Sequence, residues 1–135
     1  MSYGVAAALQ AAVYQHLAGD AALAALVGTG VYDAVPPGDK PPTYVVLGEE
    51  QVRDRSDATG DGAEHRLVVS VVSEAAGFAA AKAAAAAVSD ALVDATLTLT
   101  RGTLVGIGFQ KAVAKRIEDG TRRQIDLTFR ARVEG

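Results

Sequence analysis

Between Arg123 and Val133 the chain alternates: Arg123, Ile125, Leu127, Phe129, Ala131 and Val133 fall on one side of an extended backbone. Arg122, Gln124, Asp126, Thr128, Arg130 and Arg132 fall on the other. This pattern predicts a strand with one buried and one wet face. Phe109 to Ile117 is its partner arm, and Asp119-Gly120 between them signals a tight turn. Leu67 to Val72 is almost continuously apolar and predicts a strand covered on both faces. The β-branched and aromatic run Thr43-Tyr44-Val45-Val46-Leu47 predicts another. Val31 to Val35 reads as a short strand stopped by Pro36-Pro37-Gly38. Thr96 to Thr100 alternates as an edge strand or an extended connection.

Helical spacing governs three other stretches. Val5, Leu9, Ala12, Val13, His16 and Leu17 predict an amphipathic helix from about Tyr3 to Ala18. Gly19-Asp20 ends it, Asp20 caps a short second helix over 21–27, and Gly28 closes that one. The alanine-dominated run from Ser73 to Asp94 predicts the long helix about which the fold is organised. Ser73 is its expected N-cap, and Phe78, Ala81, Ala85, Val88 and Leu92 form its buried stripe. A stripe made mostly of Ala lets a sheet approach the helix axis closely.

Residues 49–65 are the least core-like. Gln51 to Arg55 extends the preceding strand, and Ser56 to Gly62 is rich in turn formers. Asp54, Asp57 and Asp61 lack the alternate-residue spacing of a calcium loop, so a projecting contact arm is the better reading. The result is an α+β fold in one domain over residues 1–135: a mixed or antiparallel sheet with N-terminal helices, one long Ala-rich helix and a long polar arm.

Composition narrows the function. Half of the chain is apolar, but small aliphatic side chains supply that share, and Cys is absent, which removes disulfides, thiolate nucleophiles and cysteine metal sites. The first residues lack a signal-peptide pattern, and no run approaches the ~20 apolar residues that span a bilayer. A soluble protein with no membrane partner is expected. The net charge of −3 is unevenly placed. Residues 1–100 hold 5 Lys/Arg against 12 Asp/Glu, whereas residues 101–135 hold 8 against 4. An acidic body and a basic terminal hairpin would orient the chain against copies of itself or a charged partner.

Catalytic signatures are missing: there is no Gly-x-Ser-x-Gly elbow, phosphate loop or zinc helix, and Gly106-Ile107-Gly108 lacks the third glycine of a dinucleotide fingerprint. His16 reads as a packing or surface residue. Asp33, Glu49, Glu50 and His65 would make a site only if the fold brought them together. Aromatics are too few for a stacking platform on single-stranded nucleic acid.

Taken in order, Leu9-Gln10-Ala11-Ala12-Val13-Tyr14, Val31-Tyr32-Asp33-Ala34-Val35-Pro36 and Pro42-Thr43-Tyr44-Val45-Val46-Leu47-Gly48 resemble the small tail-terminator family of siphophages and alphaproteobacterial gene transfer agents. Ala63-Glu64-His65, Glu74-Ala75-Ala76-Gly77-Phe78 and Arg130-Ala131-Arg132-Val133 extend the likeness over nearly the whole chain, and it is strongest to the gene transfer agent member. The resemblance implies a structural, non-catalytic protein without a cofactor or metal. It implies a homo-hexameric ring that caps the tail tube, ends tail polymerisation and offers a surface to the head-tail connector. DNA would pass through the lumen without sequence-specific binding. The place implied is the neck of the particle, assembled in the bacterial cytoplasm. On this reading the arm residues Arg53, Asp54, Arg55, Asp57, Asp61 and Glu64 contact a neighbouring subunit or the tube. Lys111, Lys115, Arg122, Arg130 and Arg132 face the lumen or a neighbour. The competing readings are a head-completion or connector protein of the same assembly, a small ligand-binding domain or enzyme, and a nucleic-acid module using the terminal hairpin.

Overall fold

The alternating terminal strand is the spine of a five-stranded sheet. The computed structural model describes residues 3–56 and 60–135. In chain order the elements are α1 (Ala6–Ala18), α2 (Ala21–Val27), β1 (Val31–Tyr32), β2 (Thr43–Asp54), β3 (Gly62–Ser73), α3 (Ala79–Leu92), β4 (Thr103–Ile117) and β5 (Arg122–Glu134). The strand order is β1-β2-β3-β5-β4. β1 pairs with β2 in parallel and every other pairing is antiparallel, so the sheet is mixed.

Register turns the sequence alternation into two faces. Val45, Val71 and Ile125 lie side by side, as do Leu67 and Phe129, and these residues are buried with the apolar side chains of α1, α2 and α3. Their sequence neighbours form the other face, where Gln51, Arg66 and Arg130 share a row and Arg53, Glu64 and Arg132 share the next. All three helices therefore serve one face. The buried residues of α3 are Ala81, Ala84, Ala85, Ala87, Val88 and Leu92, with Phe78 just before the helix only partly buried, and the small side chains let the helix settle on β3 and β5.

The N-terminal helices follow their sequence signals. α1 starts at Ala6, and Asp20 Oδ2 accepts the Leu23 backbone N–H at 2.9 Å, capping α2. His16 Nε2 donates to the Ala91 carbonyl at 2.8 Å, tying α1 to the last turn of α3 and satisfying a carbonyl that the helix leaves open.

Elsewhere the boundaries differ from the sequence expectation. α3 does not begin at Ser73, because that residue ends β3, bonds Thr43 Oγ1 at 2.8 Å and turns its hydroxyl to the Ala75 N–H. Gly77, at φ +71°, then breaks the chain before the helix starts. The strand expected over 31–35 pairs only at Val31 and Tyr32. Thr96 to Thr100 forms no strand and is an extended connection, with Leu97 and Leu99 packed partly against the core. The terminal hairpin is longer than expected. Its turn is Glu118–Gly120, in which all three residues have positive φ.

Among the described residues three irregularities interrupt the register: one between Leu47 and Glu50 in β2, and two in β4, between Leu104 and Gly106 and between Phe109 and Lys111. Each adds length to its strand and bends it. Those at Leu47/Glu50 and Phe109/Lys111 fall at the level of Val68 and Thr128, so the two outer long strands deviate there at the same height.

Candidate functional site

The helix-free face of the sheet collects the charge that the sequence scatters over arm and hairpin. Glu64, buried to 9% exposure, lies between two arginines: Arg66 Nε is 3.3 Å from Glu64 Oε2 and Arg130 Nε is 3.8 Å from Glu64 Oε1. The Arg66 contact lacks hydrogen-bond alignment and acts as a charge contact. Arg132 donates to the Arg55 carbonyl at 3.1 Å, locking β5 to the end of the arm. Arg53 stands in the same row as Glu64 and Arg132, exposed.

A second cluster lies farther along the same face. Asp126 accepts from Ser70 Oγ at 2.7 Å and Gln124 Nε2 at 2.8 Å, and pairs with Lys115 Nζ at 3.1 Å. Burial works to raise the Asp126 carboxyl, but the bonds from Gln124, Ser70 and Lys115, with the Lys115 charge, outweigh it and hold its pKa below the usual value. Arg122 is more heavily engaged. It pairs with Glu118 at 3.1 Å and Glu74 at 3.2 Å and reaches the Tyr44 hydroxyl at 3.4 Å. Lys111 is exposed and has no ionic partner among the described residues.

Expected arm residues are therefore placed differently from one another. Arg53 and Asp54 belong to β2 and Glu64 to β3, Arg55 and Asp61 lie in the connection, and Asp57 lies outside the described residues. Asp54 is held below the ordinary carboxylate pKa chiefly by the Ser56 hydroxyl, 2.7 Å away. The arm is mostly an extension of the β2–β3 hairpin, and its base is sewn into the charged face.

The scattered group Asp33, Glu49, Glu50 and His65 is only partly assembled. His65 Nδ1 meets Glu50 Oε2 at 3.0 Å, and the Tyr3 hydroxyl donates to Glu50 Oε1 at 3.3 Å. The Glu50 charge and that hydrogen bond raise the Tyr3 pKa. Asp33 accepts from Gln10 Nε2 and lines, with Glu50, Tyr3 and α1, a cleft of about 530 Å3. His65 is wholly shielded from solvent, so it can touch no substrate, and Glu49 stands apart on the open surface. Among the described residues no group of three His, Asp or Glu side chains is placed to hold a metal.

Asp126 and Glu118 pair across the terminal hairpin with Lys115 and Arg122, as its opposed charges suggest, but sequence reasoning missed Arg66 as an organiser of the face. Its signal was present in β3, but a nearly all-apolar strand hid which of its two sides would stay open.

A family model described as tail completion protein gp17 matches residues 11–134. The chain belongs to that family. Over 99% of its length it is also similar to a chain of a solved structure described as the virion of a native gene transfer agent particle. The identity is 67%, that chain is covered completely, and the TM-score is 0.94. No match is found among curated proteins. As a tail completion protein, the chain has a structural role, capping and terminating tail assembly, and is not an enzyme. A surface of ion pairs on a stiff sheet, with its one buried histidine withdrawn from solvent, suits that role.

Proposed function

We propose that six copies close into a ring at the top of the tail tube of a gene-transfer-agent-like particle, stop tube growth and present a surface for head joining. The whole of residues 1–135 acts as one tail-terminator-like domain in this ring. The observation that carries this reading is the 67% identity, over essentially the full chain, to a component of a gene transfer agent virion. A head-to-tail ring requires two unlike, complementary patches on each subunit, and the acidic body and basic hairpin supply them.

In the ring the helix-free face looks toward the lumen. Lys111, Lys115, Arg122, Arg130 and Arg132 all stand on it, so DNA would pass a surface that attracts phosphate without reading bases. The β2–β3 arm and the Glu118–Gly120 turn project from opposite ends of the strands, which gives the ring two different rims. The arm rim, with Arg53, Asp54, Arg55, Asp57, Asp61 and Glu64, meets the tube or a neighbouring copy, and the turn rim meets the head-tail connector.

Electron microscopy of particles made without this protein tests the function. Overlong or headless tails are expected; tails of ordinary length joined to full heads would overturn it. A chain lacking residues 56–62 should remain folded yet fail to complete tails, and normal particles from it would remove the arm from the mechanism.

A further inference from the structure

Around Phe78, at the start of α3, stand cations that the fold does not neutralise. Lys82 Nζ lies 5.8 Å and the Arg116 guanidinium carbon 5.5 Å from the centre of its partly buried ring, so one aromatic face region carries two exposed positive charges. Arg116 also stands directly opposite Arg123 across the β4–β5 ladder, like charge beside like charge on the helix-covered side. Arg123 Nη1 donates to the Gly120 carbonyl at 2.9 Å, while its Nε is shielded from solvent and has no hydrogen-bond partner among the described residues. None of Lys82, Arg116 and Arg123 has an ionic partner among the described residues, and Glu74 and Glu118, at the same end of the sheet, both pair with Arg122. These side chains make the patch, and α3 reinforces it: no side chain caps its first turn and no acidic residue lies there, so its partial positive charge stands uncompensated.

We infer that this patch docks a carboxylate-rich segment of another particle protein, which rests on the reading above that the turn rim is the one facing the head. Opposed arginines with no acid between them repel in the lone chain, and an anionic occupant converts that repulsion into attraction. Carboxylates of the partner would accept paired N–H bonds from Arg116 and Arg123 and meet Lys82 as a point charge, their aliphatic stems lying on Phe78. Position selects protein over nucleic acid. Lys111, Lys115, Arg130 and Arg132, which the lumen reading gives to DNA, stand on the opposite face of the sheet, and one duplex cannot touch both faces.

Titrating the purified full chain with a labelled octaglutamate peptide at low salt tests the chemistry independently of any ring. The peptide should bind, and Lys82→Glu/Arg116→Glu should weaken it at least tenfold, whereas Lys111→Glu/Lys115→Glu on the other face should leave it nearly unchanged. No binding, or equal losses from the two double variants, would overturn the site. A labelled oligothymidylate that loses more affinity than the peptide on Lys82→Glu/Arg116→Glu would give the patch to nucleic acid and overturn the choice of a protein partner. Stability separates docking from a structural role: Arg116→Glu sets a carboxylate opposite Arg123, so the thermal midpoint of the lone chain should not fall, and a clear fall would make Arg116 a residue of the fold. In particles, Lys82→Glu/Arg116→Glu should give tails of ordinary length with at least tenfold fewer heads attached, while the conservative Arg116→Lys should keep heads joined. Full head joining in the double variant would overturn the docking, and overlong tails would overturn its head-side placement. Tails of ordinary length joined to heads in the complete absence of the protein would instead sink the ring reading, leaving the peptide result to stand by itself.

Discussion

His65 Nδ1 lies 3.0 Å from Glu50 Oε2 on the helix-covered face, although the two residues come from different strands and His65 has no exposed surface. The carboxylate can only accept, so Nδ1 carries the proton, and the opposite nitrogen, Nε2, is left without a partner among the described residues. Glu50→Ala strips the buried N–H of its acceptor and should cost roughly 1–3 kcal/mol. Adding His65→Leu should recover much of that loss, because removing both partners leaves nothing buried and unpaired. Urea unfolding of the two single variants and the double variant measures the coupling; purely additive losses would contradict it.

Asp126 gives the fold an acid dependence with a definite sign. Its folded pKa lies below the unfolded value, so its contribution is present above the unfolded carboxylate range near ~3.9 and is lost as pH falls through the folded pKa. Asp126→Asn should lower stability at neutral pH by about 1–2 kcal/mol and flatten the decline between about pH 4 and pH 2. Denaturation midpoints across that range compare the two proteins, and parallel declines would show that Asp126 is not the titrating group.

Gly102 and Gly120 separate backbone strain from collision. Both have positive φ, +76° and +85°, so Ala at either carries a similar left-handed penalty of about 1–2 kcal/mol. A Cβ on Gly102 would also sit 2.7 Å from the Glu134 carbonyl oxygen and 2.8 Å from Val5 Cγ2, whereas one on Gly120 meets nothing. Gly102→Ala should therefore be the more damaging by at least about 1 kcal/mol. Thermal unfolding midpoints rank them, and equal losses would mean that the chain near Val5 gives way freely.

The closeness of α3 to the sheet depends on alanine. Ala84 has no exposed surface and lies on the buried stripe. Ala84→Leu should destabilise by about 1–3 kcal/mol through overpacking, while the same change at exposed Ala83 should be close to neutral. Comparable unfolding curves for the two would place the helix farther from the sheet.

Much of this architecture could be read before any coordinates. The faces of β5 follow from its strict alternation, and Asp20 caps α2 because a short acid before an apolar run has little else to do. The start of α3 could not be read, because Ser73 offers the same hydroxyl to a helix cap as to the Thr43 bond that it makes. β1 breaks off early because nothing past Tyr32 finds a partner on β2, and partner geometry is not a local property of Val31 to Val35. For the candidate face, the alternation separated Arg130 and Arg132 from the core, but it could not say that Glu64 would lie between Arg66 and Arg130. That depends on the register of β3 against β5, fixed by apolar pairs such as Leu67 and Phe129.

The unpaired stretch of β4 carries a hazard for the lone molecule. A copy that finds no place in a neck still offers ten residues of open ladder and half-bare Phe109 and Val113 to whatever it meets. At high concentration two copies would meet through their β4 edges and begin to aggregate, and repulsion between their Lys111 side chains is the brake that holds this back.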